Sequence, residues 1–98
     1  MPTYSYKLEI IGVGPISVQV TLANQPIPMV SNNGKKWKPA DTPVNLSFNG
    51  NLTGTILITA ASGTGWTVKI TNQGNVVFNS SGETENNGSH VTINTTPI

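Results

Sequence analysis

The stretch Thr55–Thr71, TILITAASGTGWTVKIT, decides the fold class. Ile56, Ile58 and Ala60 recur at every second position, and after Ser62–Gly65 the same period resumes as Trp66, Val68 and Ile70. Alternation of this kind places one face of an extended chain in a core and leaves the other in water. Thr67, Lys69 and Thr71 take the wet face, while Leu57 makes the first run more evenly apolar and so more central. A glycine-bearing turn between two such runs predicts a β-hairpin in the middle of a sheet.

The pattern extends outward in both directions. Tyr4, Tyr6, Leu8 and Ile10 alternate with Ser5, Lys7 and Glu9, and after Gly12–Pro15 come Ile16, Val18, Val20 and Leu22 against Ser17, Gln19 and Thr21. This predicts a first antiparallel hairpin. Val44, Leu46 and Phe48 lead to Asn49-Gly50, a two-residue hairpin signal, and then to Leu52. A turn at Asn72–Gly74, a short strand at Val76–Phe78, a polar loop over Ser80–Ser89 and a last strand around Val91 and Ile93 close the chain. No window of helical period longer than a turn competes.

One domain spanning residues 1–98 is expected. Its fold class is all-β: a small antiparallel β-sandwich of seven to eight strands with Greek-key connections, the architecture of immunoglobulin-like and jelly-roll modules. Ile16, Val18, Val20, Leu46, Phe48, Ile56, Ile58, Trp66, Val68, Ile70, Val91 and Ile93 form the expected core. With no cysteine in the chain, packing and the hydrogen-bond ladder must supply stability.

Composition excludes several functions. Charged residues make up only 9% of the chain, its cations are five lysines, and the net charge is +1, which argues against nucleic acid as a partner. No apolar stretch approaches the roughly 20 residues of a membrane helix, so membrane insertion is not expected. No signal-peptide pattern opens the chain, which points to an intracellular protein or a trimmed module. The surface vocabulary of Asn, Thr, Ser and Gly favours a secreted or cell-surface setting. Asn-x-Ser/Thr triplets occur at Asn45, Asn51, Asn79, Asn87 and Asn94, as expected by chance in such a composition.

Catalysis requires groups this chain scarcely has. Four carboxylates and one histidine leave no pair facing across a cleft and no nucleophile elbow, so an enzyme is not expected. Gly12 and Gly14 lack the third glycine of a dinucleotide loop. Glu83, Glu85, Asn87 and Gly88 imitate half of a calcium loop, but the twelfth position is Asn94 and no helices flank it. Neither metal nor cofactor is expected.

Between Asn24 and Pro43 the alternation breaks. Pro26, Pro28, Pro39 and Pro43 and the turn Asn32-Asn33-Gly34 predict a loop with a short edge strand near Ile27–Val30. This loop carries Lys35, Lys36, Trp37 and Lys38, the one charge cluster of the sequence. Trp37 has two readings: a platform that stacks on a sugar ring, or an amphipathic ring that plugs one end of the sandwich. On the first reading Asn32, Asn33, Lys36 and Asp41 supply hydrogen bonds beside it. The leading expectation is therefore a non-catalytic binding module for a neutral glycan or a cell-surface ligand. The alternative is a structural or self-assembly module packing through edge strands or the Trp37 loop, with a homo-oligomer as the result.

Overall fold

The computed structural model describes residues 3–85 and 88–96. Ten strands, and no helix among the described residues, form two antiparallel sheets packed face to face. These are β1 (Thr3–Gly12), β2 (Ser17–Leu22), β3 (Gln25–Ile27), β4 (Met29–Val30), β5 (Lys36–Pro39), β6 (Val44–Ser47), β7 (Leu52–Thr59), β8 (Gly65–Asn72), β9 (Asn75–Glu83) and β10 (Ser89–Thr95). The all-β sandwich is as the alternation implies. Its strand count exceeds seven to eight because the segment between Asn24 and Pro43, expected to hold one short edge strand near Ile27–Val30, contributes three.

The six-stranded sheet runs β4-β5-β1-β8-β9, with β6 pairing to β1 beside β5. The four-stranded sheet runs β10-β7-β2-β3. Along one edge of β1, β6 pairs with Thr3–Tyr6 and β5 with Ile10 and Ile11, so Ala40–Pro43 loops out between two collinear pieces. Pro26 falls in β3, an edge strand, where a missing donor is tolerated.

Three expected hairpins are instead crossings between sheets. β7 pairs with β10 and β2, whereas β8 pairs with β1 and β9, so the Ala60–Thr64 connection joins the two layers. The Val13–Ile16 connection from β1 to β2 and the Phe48–Asn51 connection from β6 to β7 do the same. Neighbouring strands lie about 4.8 Å apart and stacked sheets about 10 Å, a gap that four or five residues bridge. Two-residue turns with positive φ at both positions make hairpins: Ala23 (50°) and Asn24 (62°) join β2 to β3, and Gln73 (51°) and Gly74 (83°) join β8 to β9.

The inner faces meet in one core. Tyr6, Leu8, Ile10, Leu46, Trp66, Val68 and Ile70 come from the six-stranded sheet; Val20, Leu22, Leu52, Ile56, Ile58, Val91 and Ile93 come from the other. Every expected core residue is buried except Val18, which is half-buried. It faces inward opposite Ile58, but β3 pairs no further along β2 than Val20, so no strand covers that flank. Gly54 lies opposite Leu22: a Cβ there would run into the Thr21 carbonyl oxygen and sit 2.7 Å from Leu22 Cδ2, so the absence of a side chain lets β2 approach and Leu22 close the core.

One end of the sandwich is stitched by polar groups. Thr84, 3% exposed, donates from Oγ1 to the Ala61 carbonyl and accepts from the Thr64 amide, while its backbone bonds to Gly63 and Thr64. This holds the β7–β8 crossing against the end of β9. β9 itself runs to Glu83, through residues read as loop, because Ser80 and Gly82 occupy its inward positions opposite Val68 and Trp66.

Candidate binding surface

Trp37 lies on β5, not in a loop, opposite Ile10 on the inner face. Its ring is half-buried against the core, and its Nε1 donates to the carbonyls of Ile16 (3.1 Å) and Gly34 (3.2 Å). The side chain therefore plugs the sandwich end and ties β5 to the β1–β2 connection and to the loop that precedes β5. None of the six aromatic residues is fully exposed. Tyr4 packs at a tilt against Phe48, with ring centroids 4.9 Å apart, at the other end of the core.

The remaining expected site residues divide. Asn32, Asn33 and Lys36 line one hollow together with Glu9, Val30 and Lys38. Asn33 Oδ1 accepts from the amides of Lys35 (2.8 Å) and Lys36 (3.1 Å), and Ser31 Oγ accepts from Gly34 (2.8 Å), so the loop is held by its own side chains. Asp41 lies apart, in a cleft with Ile27, Pro28 and Pro43. Glu83 and Glu85 are exposed, and Asn87 lies outside the described residues. No group of three or more His, Asp or Glu side chains placed to hold a metal occurs among the described residues.

The outer face of the six-stranded sheet gathers what the sequence disperses. Strand alternation points Lys7 and Glu9 of β1, Lys69 of β8, and Lys36 and Lys38 of β5 to the same side. Glu9 sits opposite Lys69 in the ladder and forms an ion pair with Lys36, Nζ to Oε2 3.3 Å. A second hollow, holding Lys7, Lys38, Lys69 and Thr71, adjoins the first across Glu9 and Lys38. Four of the five lysines thus surround a single carboxylate, with the hydroxyls of Thr67, Thr71 and Ser81 and the amide of Asn79 between and beside them.

The outer face of the four-stranded sheet is its opposite. Thr21, Thr55 and Thr92 form one row across three strands, Thr53 and Asn94 the next, and no Lys, Asp or Glu projects there. Asn51 Nδ2 donates to Asn94 Oδ1 at 3.1 Å. His90 stands exposed on this face opposite Leu57.

Sequence reasoning missed Lys7 and Lys69 as companions of Lys36 and Lys38, and missed Thr84 altogether. The outward phase of both lysines is legible from alternation; their proximity is a matter of register, which alternation does not carry. No protein-family model, curated protein or solved structure matches the chain.

Proposed function

We propose that the protein is a non-catalytic binding module that takes a carbohydrate bearing negative charge on the outer face of the six-stranded sheet. The observation that carries the reading is the gathering of Lys7, Lys36, Lys38 and Lys69 around Glu9. Ammonium groups attract carboxylate or sulfate, and the interspersed hydroxyls and amides match the donors and acceptors of sugar rings. The half-buried, inward-facing ring of Trp37 offers less area for stacking on a neutral glycan, which favours the charged reading. The absence of arginine and of an exposed aromatic ring disfavours nucleic acid, whose bases are held by stacking.

The experiment compares a sulfated or carboxylated polysaccharide, a neutral one and double-stranded DNA, each titrated at rising salt. The acidic polysaccharide is expected to bind most tightly, with affinity falling as salt rises and lost in a Lys38→Glu/Lys69→Glu variant that melts like the parent. Preference for the neutral polymer, or equal affinity for DNA, would overturn the reading.

A further inference from the structure

A sheet edge exposes a row of unpaired amides and carbonyls, and proteins guard such edges with prolines, bulges, charges or brevity. Five of the described strands have a single partner, and four of them are guarded, β6 by its length of four residues directly after Pro43. β3 is three residues long and contains Pro26, β4 has two residues, and β9 carries an irregularity at Val77, between Val76 opposite Thr71 and Phe78 opposite Ile70. β10 has none of these: seven residues, SHVTINT, pair with β7 in unbroken register and include no proline, lysine or carboxylate. Its ends are tied to β9 by Ser89 Oγ to the Glu83 carbonyl and Thr95 Oγ1 to the Val77 carbonyl, both 3.1 Å, and among the described residues β7 is the one strand with which it pairs.

We infer that β10 pairs with β10 of a second copy across a two-fold axis at Thr92, joining two four-stranded sheets into one of eight strands. The strand is self-complementary about that residue, which is its midpoint. An antiparallel two-fold there sets Val91 against Ile93 of the second copy, both on the core side, and His90 against Asn94, both on the outer side. All seven residues overlap and no like charges meet. The surrounding face adds no repulsion, because the threonine rows beside β10 are uncharged. The inference stands independently of the glycan reading, since the lysines project from the other sheet.

Light scattering across a wide concentration range, with hydrogen exchange on the same samples, tests it. The protein is expected to reach the mass of two chains at high concentration, with β10 amides gaining protection as the dimer forms. Thr92→Lys places two ammonium groups at the axis and should hold the protein at the mass of one chain. Thr55→Lys, on the same outer row but on a central strand, should leave the dimer intact. A single-chain mass at every concentration, or a dimer that survives Thr92→Lys with no added protection in β10, would overturn the pairing.

Discussion

The two sheets share a core and differ on the outside. Inward, both present fully buried aliphatic side chains, Ile10 and Val68 on one, Ile56 and Ile58 on the other. Outward, one carries four lysines and the other carries threonine and asparagine. The formal charge of +1 conceals this, because Asp41 and Glu85 lie off the lysine-bearing strands and Glu83, though on the same outer face, sits at the end of β9 opposite Gly65, away from Lys69 along β8. Net charge is a sum over the chain, whereas a ligand meets one face at a time.

If the inner faces are equivalent, truncating either should cost alike. Ile58→Ala and Ile10→Ala are each expected to lose about 2–5 kcal/mol in denaturant melts. A loss below about 1 kcal/mol at one of them would mean that its sheet contributes less to a common core. At the seam between the sheets, Thr84→Val keeps the shape but deletes the hydroxyl that serves Ala61 and Thr64. A loss of about 1–3 kcal/mol is expected. A neutral result would show that the β7–β8 crossing needs no clamp.

Tyr6 has no counterpart in the other sheet. Its hydroxyl is buried without a hydrogen-bond partner, and burial, aided by the nearby Tyr4, pushes its pKa above the ordinary tyrosine value. Below a pH of about 10 the phenol is neutral folded or unfolded and its share of stability is complete. As the pH climbs past that point the unfolded chain gives up the proton first, so folding weakens toward the raised folded-state pKa. Tyr6→Phe should leave stability at neutral pH unchanged or raised by about 1 kcal/mol, and should soften the alkaline loss. A marked loss at neutral pH would contradict this. The smallest effect concerns a true hairpin: Gln73→Asn puts Asn-Gly into the β8–β9 turn, where φ is positive at both positions, and should stabilise by up to about 1 kcal/mol. A lower melting temperature would count against that turn assignment.

These contrasts also mark what the amino-acid sequence makes legible. Alternation identifies which residues face the core, and does so at Ile56, Trp66 and Ile93 alike. It does not say which sheet a strand joins, because two strands stacked across a core need the same inward pattern as two strands side by side. The connection after Thr59 therefore resembles a hairpin, and only its five-residue length hints at a crossing. The extension of β9 is hidden for a related reason. Its inward positions hold Ser80 and Gly82, and a Cβ at Gly82 would lie 2.9 Å from Trp66 Cζ2, so the indole fills space that an apolar side chain would otherwise mark. Trp37 obeys alternation, Lys36 out, Trp37 in, Lys38 out, Pro39 in, but four residues among prolines are too few to stand out. Of the candidate site, the outward phase of Lys7 and Lys69 is legible and their meeting with Lys36 and Lys38 is not.

The most direct test of a division between a charged and an uncharged face is amide chemical-shift mapping with a sulfated oligosaccharide. The perturbations should centre on Lys7, Glu9, Lys38 and Lys69 and leave Thr21, Thr55 and Thr92 unmoved. Shifts centred on the threonine rows, or spread evenly over both sheets, would contradict it.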